Sequence, residues 1–191
     1  MAKRQTLRKL QQRIADLLQQ ASSQPGLSAS WLGVRLGQHR LLFPLQQSGE
    51  IYSVVGIEPL PYAKPWFLGV VALRGAIYGV VELSAFLKGE NEKILAPVAE
   101  KHLKPRLVAM NEAMGVNVVV KVDALEGLRG REDFVRSQPA VAGSPAHYGS
   151  VFFDRADESW QEINLQALVQ LPEFLNISAM EMAAPVIAAD K

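Results

Sequence analysis

The chain has 191 residues, 49% of them hydrophobic and 20% charged, the usage of an ordinary globular protein of one domain or two small ones. Twenty Lys and Arg against nineteen Asp and Glu leave a net charge of +1, which speaks against a surface built for polyanions. Zero cysteines exclude disulfides, cysteine-held metals, iron–sulfur clusters and thiol catalysis, and fit a reducing compartment.

Leu7, Leu10, Ile14 and Leu17 recur at spacings of three and four with Arg, Lys and Gln between them. That periodicity predicts an amphipathic helix over residues 5 to 21, packed on its own domain or offered to a partner helix. Lys3, Arg4, Arg8, Lys9 and Arg13 make the segment basic, but no apolar core follows them and Asp16 interrupts, so it does not read as a secretion signal. Ser22 to Gly26 is a breaker cluster that closes an N-terminal unit, residues 1–26. From Trp31 the period becomes two, and Gly37-Gln38 between two apolar runs predicts a tight hairpin. Further strands are expected at Ile51–Val55, Leu68–Leu73, Ala76–Leu83, Leu107–Met110, Val116–Val122, Tyr148–Phe153 and Trp160–Leu165. Lys88 to Pro105 reads as a loop or crossover, and residues 176–191, rich in Ala and Met, as a flexible tail around a main domain of residues 27–175. The long uncharged run Ser137 to Phe153 carries Pro139, Gly143, Pro145 and Gly149 and cannot form a membrane helix. An intracellular protein, all-β with short helices, is the expectation.

An internal repeat stands out. Leu68-Gly69-Val70-Val71-Ala72-Leu73-Arg74 resembles Tyr148-Gly149-Ser150-Val151-Phe152-Phe153-Asp154 about eighty residues on. Each is followed by a turn, a second strand and a closing helical turn: Val81-Glu82-Leu83-Ser84-Ala85-Phe86-Leu87 in one case, Ile163-Asn164-Leu165-Gln166-Ala167-Leu168-Val169 in the other. The second turn is longer and polar, Asp154 to Ser159. Two halves, each a small β unit, are expected from this duplication.

Little in the chain asks for chemistry. His39, His102 and His147 lie in separate segments with no second ligand at i+2, i+3 or i+4, and His39 and His147 fall where exposed turns are expected. No nucleophile elbow, zinc helix or Walker loop occurs, and Gly127-Leu128-Arg129-Gly130 lacks the strand-to-helix context of a phosphate loop. Asp154, Asp157 and Glu158 around Arg155 read as a solvated turn, while Glu82 and Asp123 each end an apolar strand, where a carboxylate usually caps a neighbouring turn. Phe67, Tyr78, Phe152 and Phe153 leave a small nucleic-acid-binding barrel as an alternative, but they sit at buried-looking strand positions. Leu73-Arg74-Gly75 is more informative: an Arg at a turn glycine after an apolar strand is either a polar stop or an interface anchor on a rigid hairpin.

The run Pro65-Trp66-Phe67-Leu68-Gly69-Val70-Val71-Ala72-Leu73-Arg74-Gly75, then Gly79-Val80-Val81-Glu82-Leu83, resembles the signature of the CheW-like adaptors of bacterial chemosensory systems. Arg40-Leu41-Leu42-Phe43-Pro44, Glu50-Ile51 and Val116 to Asp123 match that family's neighbouring stretches in order and spacing, from Trp31 to Leu171. Pro61-Tyr62, Pro65-Trp66-Phe67 and the extra N-terminal helix look most like the branch serving type IV pili and twitching motility. The resemblance implies two small five-stranded SH3-like β-barrels and no catalytic residues, cofactor or metal. It implies a cytoplasmic adaptor, recruited to receptor arrays, that joins the regulatory domain of a chemotaxis-type histidine kinase to the cytoplasmic tip of a methyl-accepting chemoreceptor. A regulator that binds the kinase but no receptor is the alternative of the same fold. By the family's pattern Glu50, Ile51 and Arg74 contribute to receptor binding. Ala72 stands where the family has Asn, Glu82 where it has Asp, and Lys121 where it is apolar or small; Ser48 occupies a usually apolar position.

Overall fold

The computed structural model describes residues 30–88 and 104–179. The expected N-terminal helix, His102, nearly all of the Lys88 to Pro105 stretch and most of the C-terminal tail lie outside them.

Among the described residues, eleven strands and three short α-helices follow in order: β1 (Trp31–Leu36), β2 (His39–Pro44), β3 (Ser48–Ser53), β4 (Phe67–Leu73), β5 (Ala76–Glu82), α1 (Leu83–Lys88), β6 (Arg106–Met110), β7 (Val118–Val122), β8 (Ala124–Arg129), β9 (Phe134–Gln138), β10 (Tyr148–Asp154), β11 (Ser159–Ile163), α2 (Leu165–Val169) and α3 (Pro172–Leu175). They form a six-stranded sheet, β8-β1-β2-β11-β10-β9, and a five-stranded sheet, β3-β6-β7-β5-β4. The mainly β fold of two small units agrees with the expectation, but one sheet has six strands rather than five. The reason is a bend: β8 and β9 are consecutive in the chain, separated only by Gly130 to Asp133, yet they hold opposite edges of that sheet. One closing strand is thus broken into two. At the break the Gly130 amide donates to Asp133 Oδ2 at 2.8 Å.

The repeat is real, but the halves do not fold as separate units. Each repeat supplies a hairpin (β1–β2 or β6–β7), an edge, a second hairpin (β4–β5 or β10–β11) and a helix (α1 or α2). The leading hairpin of each repeat sits in the other repeat's sheet: β1–β2 joins β8 to β11, and β6–β7 joins β3 to β5. The two junctions match as well, since β2 runs parallel to β11 and β7 parallel to β5. Asp123, at the end of β7, reaches the exchanged hairpin: its carboxylate accepts from the Gly37 amide at 2.7 Å and its own amide donates to Arg35 at 3.0 Å.

Three cores explain the strand compositions. Trp31, Leu42, Phe152 and Trp160 fill the six-stranded unit, and Val71, Leu73, Val80, Leu107, Ala109 and Val119 fill the five-stranded one. The largest lies between the sheets, taking Leu32, Val34, Leu36 and Phe43 from one and Val81, Val108, Val120 and Val122 from the other. A strand such as β7 is therefore covered on both faces over most of its length, which is why Val118-Val119-Val120 is a continuous apolar run, resumed by Val122 after Lys121. The ring centroids of Trp66, Phe86 and Phe174 lie 5.1 to 5.7 Å apart and tie α1 and α3 to the Pro65-Trp66-Phe67 run. Residues just after α3 are also held, because Lys64 and Ala179 donate backbone hydrogen bonds to Ile177 and Tyr62 at 2.8 Å.

Two expectations are corrected. His147 is fully buried rather than exposed; the Pro145 carbonyl accepts from the Tyr148 amide and Asn164 donates to the His147 carbonyl, which pulls the ring inward. His39 opens β2 and is half-buried, and that burial lowers its pKa from the usual 6.5. Gly127 to Arg129 are in strand β8, with Gly127 at φ 87° marking a bulge against β1.

Candidate functional site: the hairpin tip and its groove

The β4–β5 hairpin turns in two residues, with Leu73 paired to Ala76. Arg74 and Gly75 both have positive φ, 49° and 84°, the requirement of a type I′ turn whose twist matches the strands. A glycine suits the second position, and the first is held by an ion pair that Arg74 makes with Glu50 on β3. The Tyr52 hydroxyl donates to the other oxygen of Glu50 at 2.6 Å, and the Arg74 guanidinium lies 6.0 Å from the Tyr52 ring centroid. The hydrogen bond to Glu50 raises the Tyr52 pKa above its usual 10.0, since losing the phenolic proton would set two anions side by side. Arg74 remains 72% exposed and Glu50 49%, so the pair is displayed rather than buried.

Beneath the pair lies a groove of about 450 Å³, walled by Glu50, Tyr52, Arg74, Tyr78 and Met110 and ending at Asn111 and Glu112. The Asn111 side chain fixes that end: it accepts from the Ala113 amide at 2.9 Å and donates to the Gln46 carbonyl at 3.0 Å. Ile51 is not part of it. Side chains alternate along β3, so Ile51 points to the other face and stands 43% exposed there. Of the three expected residues, the structure brings Glu50 and Arg74 together and leaves Ile51 apart. Tyr52, Tyr78 and Met110 were missed. Tyr52 is two residues from Glu50 in a strand, a same-face signal that was available.

The two charged departures answer each other. Glu82 and Lys121 are cross-strand partners on β5 and β7, and their side chains pair at 2.5 Å while the Ser84 hydroxyl donates to Glu82 at 3.0 Å. Ala72 faces Ile77 across the hairpin, both exposed, so the tip is held by turn geometry and the Glu50 pair rather than by a side-chain amide. The Asp154 cluster is structural: Asp154 accepts from the Ala156 and Glu158 amides and from the Trp160 indole at 2.9 to 3.1 Å. Asp157 and Glu158 pair with Arg136 and Arg40. Phe152 is buried and makes no stacking platform.

A family model described as the CheW-like domain matches residues 30–173. The chain belongs to the CheW-like domain family. It is 26% identical over 178 residues to the Protein PilI of Pseudomonas aeruginosa, covering 91% of this chain and 95% of that one. The scaffolding protein TtCheW from Thermoanaerobacter tengcongensis has the same fold, with a TM-score of 0.57 at 16% identity, over 82% of this chain and 99% of that one. The CheW-like family is one of scaffolds and adaptors. Among the described residues no helix is long and apolar enough to cross a membrane.

Proposed function

We propose that this CheW-like protein is a non-enzymatic cytoplasmic adaptor, coupling the tip of a methyl-accepting chemoreceptor to the regulatory domain of a chemotaxis-type histidine kinase that controls type IV pilus motility. The observation that supports this reading is the Arg74–Glu50 pair, exposed on a rigid two-residue turn over a groove with aromatic and Met walls. An exposed pair of this kind adds little to stability, generally under about 1 kcal/mol. Its fixed fork of donors is suited to a partner instead. The likeness to PilI supports the pilus branch.

Calorimetry with the kinase regulatory domain and with a receptor-tip fragment from the same organism tests the proposal. Saturable one-to-one binding to both is expected. Arg74→Ala should weaken receptor-tip binding by about tenfold or more and leave the kinase affinity unchanged. Binding to the kinase alone would instead identify a regulator without a receptor. If Arg74→Ala melts far below wild type and binds normally per folded molecule, the side chain is structural and the assignment of the groove fails.

A further inference from the structure

Among the described residues, strand β8 is one of the two edges of the six-stranded sheet, opposite β9. Its register against β1 slips by one residue at Gly33/Val34, and this bulge has a specific result. Leu128 stands opposite Leu32 and Leu125 opposite Val34, so two leucines three residues apart share one face instead of alternating. That face is the one on which Leu32 and Val34 enter the core between the sheets. The core's apolar surface therefore runs outward to the sheet edge and stops uncovered, with Leu125 36% and Leu128 62% exposed.

We infer that the N-terminal segment of the chain, residues 5–21, docks its Leu7/Leu10/Ile14/Leu17 stripe across this β8 edge. Three observations select it over other occupants. The first is place: the Ser30 amide donates to the Arg129 carbonyl at 2.9 Å, so the chain preceding Ser30 enters beside the end of β8, one residue from Leu128. The dozen residues between Leu17 and Ser30 span up to roughly 40 Å when extended, ample for return over the strand. The second is spacing: Val34 and Leu32, which the two leucines face, are two strand positions or about 7 Å apart. That is close to the roughly 5–6 Å between successive apolar residues of a helical stripe. The third is charge. Residues 1–29 carry Lys3, Arg4, Arg8, Lys9 and Arg13 against Asp16 alone, so in a chain of total charge +1 the remainder is net acidic. Glu132, just past β8, is exposed. A docked segment also covers an unpaired strand edge, which otherwise invites pairing with other chains.

The absence of cysteine makes the test clean. Gln12, opposite the apolar stripe, is changed to cysteine (Gln12→Cys) in the full chain and carries a nitroxide label. The amides of Leu125 to Arg129 are then expected to lose most of their NMR intensity relative to the reduced label. Leu128→Glu in the same labelled chain should restore them, and because Leu128 is mostly exposed its melting temperature should not move; Ile14→Glu should restore them equally. Unperturbed β8 amides, or broadening that survives both substitutions, overturn the inference. So does broadening transferred from labelled to unlabelled chains in a mixture, which makes the occupant a second copy. So, too, does a label that reports contact only with phosphatidylglycerol vesicles, since the segment is then a membrane-surface element.

Discussion

Replacing Gly69 by alanine is the sharpest test of how the β4–β5 arm is built. Gly69 has φ 134°, a region closed to residues with a side chain, and an added Cβ would lie 2.1 Å from the Glu58 carbonyl oxygen and 2.8 Å from Pro59 Cα. That approach is fixed by a reciprocal bridge in which Glu58 donates to the Val70 carbonyl at 2.8 Å and Val70 to the Glu58 carbonyl at 2.9 Å. Accommodating the methyl group means giving up both bonds, at about 1 kcal/mol each. Backbone strain adds about 1–3 kcal/mol. The sum, about 3–5 kcal/mol, corresponds to a fall in melting temperature of roughly 6–20 °C for a chain of this size. Gly75→Ala is the control: φ is 84° but no atom lies within 4 Å of the added Cβ, so only a left-handed penalty of about 1–2 kcal/mol applies. Circular dichroism melts of the two variants decide. If Gly69→Ala melts no lower than Gly75→Ala, the Glu58 bridge does not constrain the arm and the reasoning is wrong.

Lys121→Ala leaves the Glu82 carboxylate largely buried without its cation, so a loss of about 1–3 kcal/mol in urea unfolding is expected; Glu82→Leu combined with Lys121→Leu should recover most of it. Glu50→Gln should bring the Tyr52 pKa back toward 10.0, read from phenolate absorbance; an unchanged titration would refute the hydrogen bond. Asp154 offers a pH test. Burial opposes its charge, but the Trp160 indole, the Glu158 and Ala156 amides and nearby Arg40 outweigh this and hold its pKa below 3.8. A depressed pKa contributes stability that is complete above 3.8 and disappears as pH falls through the folded value. Tryptophan emission should therefore change below that pH in the wild type, and Asp154→Asn should show the changed emission already at neutral pH.

The hairpins were legible because their signals are local: Gly37-Gln38 lies between period-two apolar runs, and Arg74-Gly75 follows a fully apolar strand. Strands β8 and β9 were not, since Ala124–Arg129 and Phe134–Gln138 carry no period-two apolar run and only pairing with β1 and β10 makes them strands. The duplication was readable from residue order, but which sheet each hairpin joins depends on contacts far apart in the chain, and no local propensity encodes that. In the groove, Arg74 announced itself by its turn and Glu50 by family resemblance. Tyr78 and Met110 come from other strands and meet the pair only once the sheet is assembled. Conversely, Ile51 was adjacent in sequence to Glu50 and for that very reason faces away from it.

The exchange of hairpins between the repeats has a consequence for synthesis. Strand β2 ends at Pro44, yet its parallel partner β11 ends at Ile163, about 120 residues later. At about 5–20 residues per second, roughly 6–24 s pass on the ribosome before the first hairpin made can enter its sheet. For nearly all of that interval Leu42, fully buried in the finished fold, lacks Phe152 and Trp160, the two members of its core that come from β10 and β11. A nascent chain cut short anywhere before β11 therefore carries an apolar hairpin with an unfinished home, and this half-made molecule, rather than the folded adaptor, is what a chaperone would have to meet.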